Sequence, residues 1–153
     1  MHPPYVAVVG ASVPDDPALL DLARDAGRLI AVRGWVLVTG GLGGVMAAAA
    51  SGAAAEAGTA VAVLPGVDRS AASPGHTVVI PTGLGEMRNA LIVRSVDAVL
   101  AVGGSWGTLS EIAFAARTGV PAFTVAGWAL PGDAVAACDS VEQAVQRIAA
   151  GFV

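Results

Sequence analysis

The sequence predicts an α/β fold: a single Rossmann-like, doubly wound parallel sheet with helices on both faces, spanning residues 1–153. Three observations carry this expectation. Short apolar runs rich in Val and Ala alternate along the chain with longer helix-like stretches. The runs are continuous rather than alternating apolar and polar, the pattern of strands buried on both faces. Glycines gather where those runs end, at Gly10-Ala11-Ser12, Gly40–Gly44, Pro65-Gly66 and Gly103–Gly107. Right-handed crossovers wind such an alternation into a doubly wound sheet, whose ligands bind beyond the carboxyl ends of the strands. The ligand edge of the fold therefore coincides with the glycine-rich edge of the sequence.

Tyr5–Val9 reads as the first strand. Asp16 and Pro17 open a helix, Asp as N-cap and Pro at the first helical position, with Leu19, Leu22, Ala23, Ala26 and Ile30 as its apolar stripe. Trp35–Val38 is the second strand, and Val45–Ala57 a helix built mostly of Ala. Thr59–Leu64 is the third strand, stopped by Pro65-Gly66 and followed by a turn-rich loop over 65–76. Thr77–Ile80 is a short fourth strand and Leu84–Ser95 a helix. Asp97–Val102, Thr108–Thr118 and Val120–Val125 supply a strand, a helix and a strand. Residues 126–140 are irregular with a short strand near Ala134–Ala137. Ser140 caps a last helix, Val141–Ala150.

Composition narrows the chemistry. A chain that is 55% hydrophobic and 13% charged is not disordered. It contains no lysine; all 8 basic residues are arginine. That excludes an internal Schiff base to pyridoxal phosphate and a Walker A phosphate loop. One cysteine, Cys138, and two histidines, His2 and His76, do not make a Cys/His zinc site, so no metal is expected. The single cysteine fits a reducing, cytoplasmic compartment. A net charge of −4 argues against a broad basic face and hence against a nucleic-acid partner. Residues 34–55 lack charge, but the glycine cluster and the Ala-rich run split them into two short elements, so no membrane partner is expected.

Three segments carry candidate chemistry. Thr39–Met46 (TGGLGGVM) joins a strand to a helix, where glycines let backbone N–H groups approach an anion; it also serves as a tight turn. The dinucleotide fingerprint is absent, because its third glycine position is Met46. Gly85–Ala90 (GEMRNA) puts Arg88 in a first helical turn, where the helix dipole disfavours a cation unless an anion offsets it. Asn89 beside it is a neutral hydrogen-bonding partner. Gly103–Glu111 (GGSWGTLSE) is a second strand–glycine–helix unit. Thr108-Leu109-Ser110-Glu111 fits a capping box with Thr108 as N-cap, and Glu111 is also free to aim at a ligand. Trp106 either stacks on a planar ligand or anchors the loop. His76 and Arg69 read as solvated loop residues.

Taken in order, TGGLGGVM, MRN, GGSWGTLSE and GVPAF resemble the LOG-like superfamily, often labelled "lysine decarboxylase-like", over nearly the whole chain. Phosphoribohydrolases of that superfamily carry PGGxGTxxE and an Arg-Lys pair. Here Val102 stands in place of the first proline and Asn89 in place of the lysine. In this the chain is similar to the short branch related to molybdenum cofactor carrier proteins. The resemblance implies binding of a small phosphorylated ligand, a nucleoside monophosphate or a molybdopterin-type cofactor, with no further cofactor required. It implies Gly103, Gly104, Gly107 and Thr108 around the phosphate and Gly40, Gly41, Gly43 and Gly44 on the opposite wall. Gly10, Ser12, Met46, Asn89 and Trp106 complete the expected ligand edge. The alternative it implies is a nucleoside 5′-monophosphate phosphoribohydrolase, an N-glycosidase with Arg88 steering the phosphate and Glu111 acting on the ribose. A homodimer or higher homo-oligomer is implied as well.

Overall fold

In the computed structural model, which describes residues 1–153, seven strands form one parallel sheet. They are β1 (Tyr5–Val9), β2 (Val36–Thr39), β3 (Ala60–Leu64), β4 (Val78–Pro81), β5 (Ala98–Val102), β6 (Ala122–Val125) and β7 (Val135–Cys138). Their order is β4-β3-β2-β1-β5-β6-β7. The chain builds outward from β1 to one edge, then restarts at β5 on the other side of β1. The direction of winding thus reverses between β1 and β5, where this class of sheet opens a crevice. The first register pairs are Val6 with Ala98 and Ala7 with Val99.

Successive side chains of a strand point to opposite faces, and the central pair β1 and β5 carries only hydrophobic residues. Val6, Val8, Leu100 and Val102 pack into one core layer, under α1 (Ala18–Val32), α2 (Val45–Ala55) and α5 (Val141–Gly151). Ala7, Val9, Val99 and Ala101 pack into the other, under α3 (Arg88–Arg94) and α4 (Trp106–Thr118). The doubly wound architecture is the one expected.

Three boundaries differ from expectation. Helix α1 begins at Ala18 with Pro17, not Asp16, at its N-cap; Asp16 stands one residue further out, its Oδ1 accepting the Ala18 N–H at 2.9 Å. The helix expected over 84–95 instead begins as a 3₁₀ turn at Gly85–Met87 and becomes α-helical only at Arg88. Gly85 sits at φ +59, a left-handed conformation that an α-helix does not continue through. The capping box is corrected: Ser105, not Thr108, caps α4, its Oγ accepting the Thr108 N–H at 3.2 Å. The helix starts earlier, and Glu111 therefore falls beyond its first turn, too deep to reach back to the N-cap.

Helices α1 and α2 pack backbone against backbone. A Cβ at Gly27 would overlap the Ala49 carbonyl, and one at Gly52 would overlap the Arg24 carbonyl. This fixes α2, and with it the loop entering it, against the sheet. No helix is long and apolar enough to cross a membrane.

Candidate functional site

At the reversal point a cavity of about 400 Å³ opens between the loops that follow β1 and β5. Val9, Gly10, Ala11, Ser12 and Val13 form one wall, Ser105, Gly107 and Thr108 the second, and Gly40, Leu42 and Met46 the third. Arg88, Asn89, Glu86 and Glu111 complete it. Segments far apart in sequence thus converge, because each follows the carboxyl end of a strand in one sheet.

Arg88 is the first residue of α3 and is only 8% exposed. Its Nε donates to the Val63 carbonyl at 2.8 Å, its Nη2 to the Gly40 carbonyl at 3.3 Å, and its Nη1 to Asn89 Oδ1. The guanidinium carries five N–H donors, so two remain for a ligand. Gly40 makes room for this group: a Cβ there would come 2.7 Å from Arg88 Nη2 and 2.8 Å from Met46 Sδ. Asn89 also donates to Ser110 Oγ at 3.3 Å, linking α3 to α4. A lysine at position 89 could not accept from Arg88; the amide does.

Glu111 is 8% exposed, and its Oε2 has no hydrogen-bond partner in the protein. Burial raises its carboxyl pKa from 4.5 to about 7, with Arg88 pulling the other way. Burial lowers the Arg88 pKa from its ordinary value, and the charge of Glu111 opposes that shift. The molecule's close ion pairs are Arg24–Asp21 and Arg28–Asp25, both on the surface of α1. Arg88 and Glu111 therefore feel one another across the cavity without neutralising one another by contact. A buried carboxylate oxygen without a partner is costly and marks where a ligand donor would fit.

The first turn of α4 borders the same space. Ser105 accepts from Thr108 and shares a 2.8 Å hydroxyl contact with Thr108 Oγ1. Gly107 faces open space, where a Cβ would meet nothing within 4 Å. The N–H groups of Trp106 and Gly107 have no acceptor within the protein, which suits a helix entrance to an anion.

The structure brings Gly10, Ser12, Gly40, Met46, Arg88, Asn89, Gly107, Thr108 and Glu111 to this cavity. The remaining expected residues lie elsewhere. Gly41 packs on Leu64 of β3, Gly44 on the backbone of Ala11 and Ser12, and Gly43 near Ser12. Gly103 packs on Leu19 and Gly104 on Trp128. Trp106 is 79% exposed and lines a neighbouring space. Ser105 was not singled out in the sequence, although its place before a tryptophan–glycine–threonine turn makes it a cap candidate. No cluster of His, Cys, Asp and Glu is arranged to hold a metal.

His76 departs from its expected solvated role. Its Nδ1 lies 2.9 Å from the Ser73 carbonyl and its Nε2 2.7 Å from Thr39 Oγ1. Thr39 is fully buried, and its Oγ1 also accepts the Gly41 N–H at 2.9 Å. The neutral tautomer with hydrogen on Nδ1 satisfies every partner: Nδ1 donates to Ser73, and Thr39 donates to Nε2. Ser73 N–H in turn donates to the Gly41 carbonyl at 2.9 Å. The 65–76 loop is thereby fastened to the wall that carries Gly40.

Comparisons with known proteins agree on the fold and its relatives. A sequence model described as the SLOG cluster4 family matches residues 3–149. An uncharacterized protein of Archaeoglobus fulgidus is 43% identical over 114 residues, 74% of each chain. A cytokinin riboside 5′-monophosphate phosphoribohydrolase of Mycobacterium marinum is 38% identical over 70% of this chain, which spans only 59% of that relative's length. Among solved structures, the molybdenum cofactor binding protein from Rippkaea orientalis superposes with a TM-score of 0.95 at 33% identity, over 100% of this chain and 99% of that one. The molybdenum cofactor carrier protein of Chlamydomonas reinhardtii gives 0.86 at 30% identity, over 97% and 99%. DNA processing protein A from Helicobacter pylori, at 19% identity and a TM-score of 0.73, shares the fold alone.

Proposed function

The chain belongs to the SLOG cluster4 family, and from that membership and the geometry of the cavity we propose that it binds a small phosphorylated ligand, a molybdopterin-type cofactor or a nucleoside monophosphate, as a carrier. The observation that carries this reading is Glu111 Oε2, a buried carboxylate oxygen with no partner, beside an Arg88 that keeps two donors free. The phosphate sits against the first turn of α4, near Gly107 and Thr108, and the free N–H groups of Arg88 fork onto its oxygens. Glu111 takes a donor from the sugar or ring of the same ligand. The solved carriers, alike over essentially the full chain, support this over a longer enzyme.

A second reading is favoured by the same two residues. Cleavage of an N-glycosidic bond needs a carboxylate that stabilises positive charge on the ribose and positions water. The mycobacterial phosphoribohydrolase relatives make Glu111 a candidate for that role. One experiment separates the two. The protein is incubated with AMP, and both binding and the release of adenine and ribose 5-phosphate are followed. Saturable binding without release supports the carrier; release that is lost in Glu111→Gln supports the hydrolase. Absence of binding for AMP and for the molybdenum cofactor alike removes both.

A further inference from the structure

A second cavity, of about 480 Å³, lies on the other side of the segment 11–13 and the start of α4. It shares Ala11, Val13 and Ser105 with the first, so the two spaces adjoin across one short stretch of chain. Its walls differ in kind. Trp106 and Trp128 stand over it with ring centroids 5.1 Å apart at 74°, an edge-to-face pair. Both are exposed, 79% and 43%, and neither belongs to a core layer. They are nonetheless held. The Trp128 indole lies against Gly104, where a Cβ would come 2.5 Å from its Cδ1, and its ring braces Trp106. A large aromatic surface kept open to water beside a cavity is available for stacking.

The cation lies on one side only. The first cavity holds Arg88 together with Glu86 and Glu111, whereas the second contains no basic residue and carries Asp15 and Asp16. Asp16 Oδ1 already accepts the Ala18 N–H, which leaves its other oxygen free, and the Asp15 side chain makes no hydrogen bond within the protein. Carboxylates repel a phosphate and accept from N–H groups. A ligand matching both spaces has an anionic end and an amino-bearing planar ring.

Resting on the reading above, we propose that this second cavity is the ring subsite of the same ligand, in which Trp106 stacks on an amino-substituted heterocycle of the purine or pterin class and Asp15 and Asp16 accept hydrogen bonds from its N–H groups. The phosphate then remains at Gly107 and Thr108, and Ser105, common to both spaces, marks the crossing point.

The test compares ribose 5-phosphate, AMP, and pterin without a phosphate, binding to the wild type, Trp106→Ala and Trp106→Phe. Calorimetry is read together with indole fluorescence. Trp35, packed on Phe152, supplies a constant background. The expected result is that AMP binds the wild type at least about tenfold tighter than ribose 5-phosphate and quenches fluorescence. Trp106→Ala should erase that advantage while leaving ribose 5-phosphate affinity unchanged, and Trp106→Phe should restore much of it. Pterin binding that depends on Trp106 supports the subsite and favours the pterin class. Ribose 5-phosphate binding with no gain from a ring, or a gain that survives Trp106→Ala, overturns the subsite and leaves the phosphate site standing. No binding of any of the three probes overturns both. A fall in light-scattering mass in Trp106→Ala shows that a second copy covers the tryptophans, and that also overturns the proposal.

Discussion

Glu111 and Arg88 are coupled by charge without forming an ion pair. Each is 8% exposed, each shifts the other's protonation, and the guanidinium spends its contacts on Val63, Gly40 and Asn89 instead. The sheet accounts for this. Arg88 is tied to the end of β3 and Glu111 rides on α4, so each is fixed by its own element. The carboxylate is left poised rather than neutralised.

That arrangement sets a pH dependence. The folded state holds the Glu111 proton more tightly than the unfolded chain, with a pKa of about 7 against 4.5. The stabilisation from this group is therefore complete below pH 4.5, declines as pH rises and is gone above about 7. The shift corresponds to a loss of about 3 kcal/mol across that window. Denaturant unfolding of the wild type and Glu111→Gln from pH 4.5 to 8 should show the loss in the wild type and not in the variant. Parallel curves would contradict it.

Gly40→Ala should act through Arg88. The added methyl meets Arg88 Nη2 and Met46 Sδ, both ends of flexible side chains, so the fold survives while the guanidinium is displaced. Affinity for AMP should fall about tenfold, or about 1.4 kcal/mol, with little change in Tm. Arg88→Ala should lose binding and also stability, about 1–3 kcal/mol, because the Val63 and Gly40 carbonyls lose their donor.

His76 should act in the opposite pH direction. Burial lowers its pKa from 6.5, so the folded state favours the neutral ring. Its contribution is present above pH 6.5 and is lost as pH falls through the lower folded value. Protonation puts a hydrogen on Nε2 facing a buried Thr39 Oγ1 that already accepts from Gly41. Hydrogen-exchange protection at Ser73 and Gly41 should therefore drop on acidification, and should become independent of pH in His76→Gln.

Glycines divide into two classes under substitution. Gly44 sits at φ 60, ψ −127, and a Cβ there would come 2.3 and 2.4 Å from the Ala11 and Ser12 carbonyl oxygens. Gly44→Ala should cost at least about 3 kcal/mol. Gly151, at the end of α5, has open space around it. Gly151→Ala should stabilise by about 0.5 kcal/mol. Thermal unfolding of both variants checks the contrast.

Leu84, Met87 and Leu91 are exposed at spacings of three and four, beside a β4 edge that exposes Val78 and Ile80. Such a surface favours burial by a second copy. Light scattering at micromolar concentration should give a multiple of 15.0 kDa, and Leu91→Glu should reduce it to the monomer. A wild-type mass of one chain would refute this.

The strands and helices were legible because burial on both faces writes itself into sequence as unbroken Val and Ala. Arg88 and Glu111 were legible as chemistry out of place: a cation at a helix entrance, a carboxylate past a glycine turn. The start of α4 was not, since Ser105 and Thr108 are both good caps, and the choice rests on how the chain leaves β5 through Gly103 at φ +74. The anchoring of Arg88 on Val63 and Gly40, and of His76 on Thr39, spans 25, 48 and 37 residues. Local pattern holds no record of such pairings. The glycines of 40–44 looked alike in sequence, yet only Gly40 lines the cavity, because the others admit β3 and the 11–12 backbone.

The glycine contacts between α1 and α2 reach further than stability. Gly27, Gly52, Gly44 and Gly10 put main chain against main chain or against Val45, and Ala11 accepts the Val45 N–H at 3.0 Å. Apart from the β-branched Val45 at Gly10, no side chain stands between these surfaces to change rotamer and yield. The two lips formed by residues 10–12 and 40–46 thus move as one stiff jaw. The opposite lip, residues 83–87, is exposed throughout, with Gly83 and Gly85 both at positive φ. That lip is held to the rest of the molecule by the Gly83 and Gly85 N–H groups, which donate to the Gly66 and Pro65 carbonyls at 2.9 Å, so the stretch of chain just ahead of Arg88 is braced by hydrogen bonds where the jaw is braced by packing.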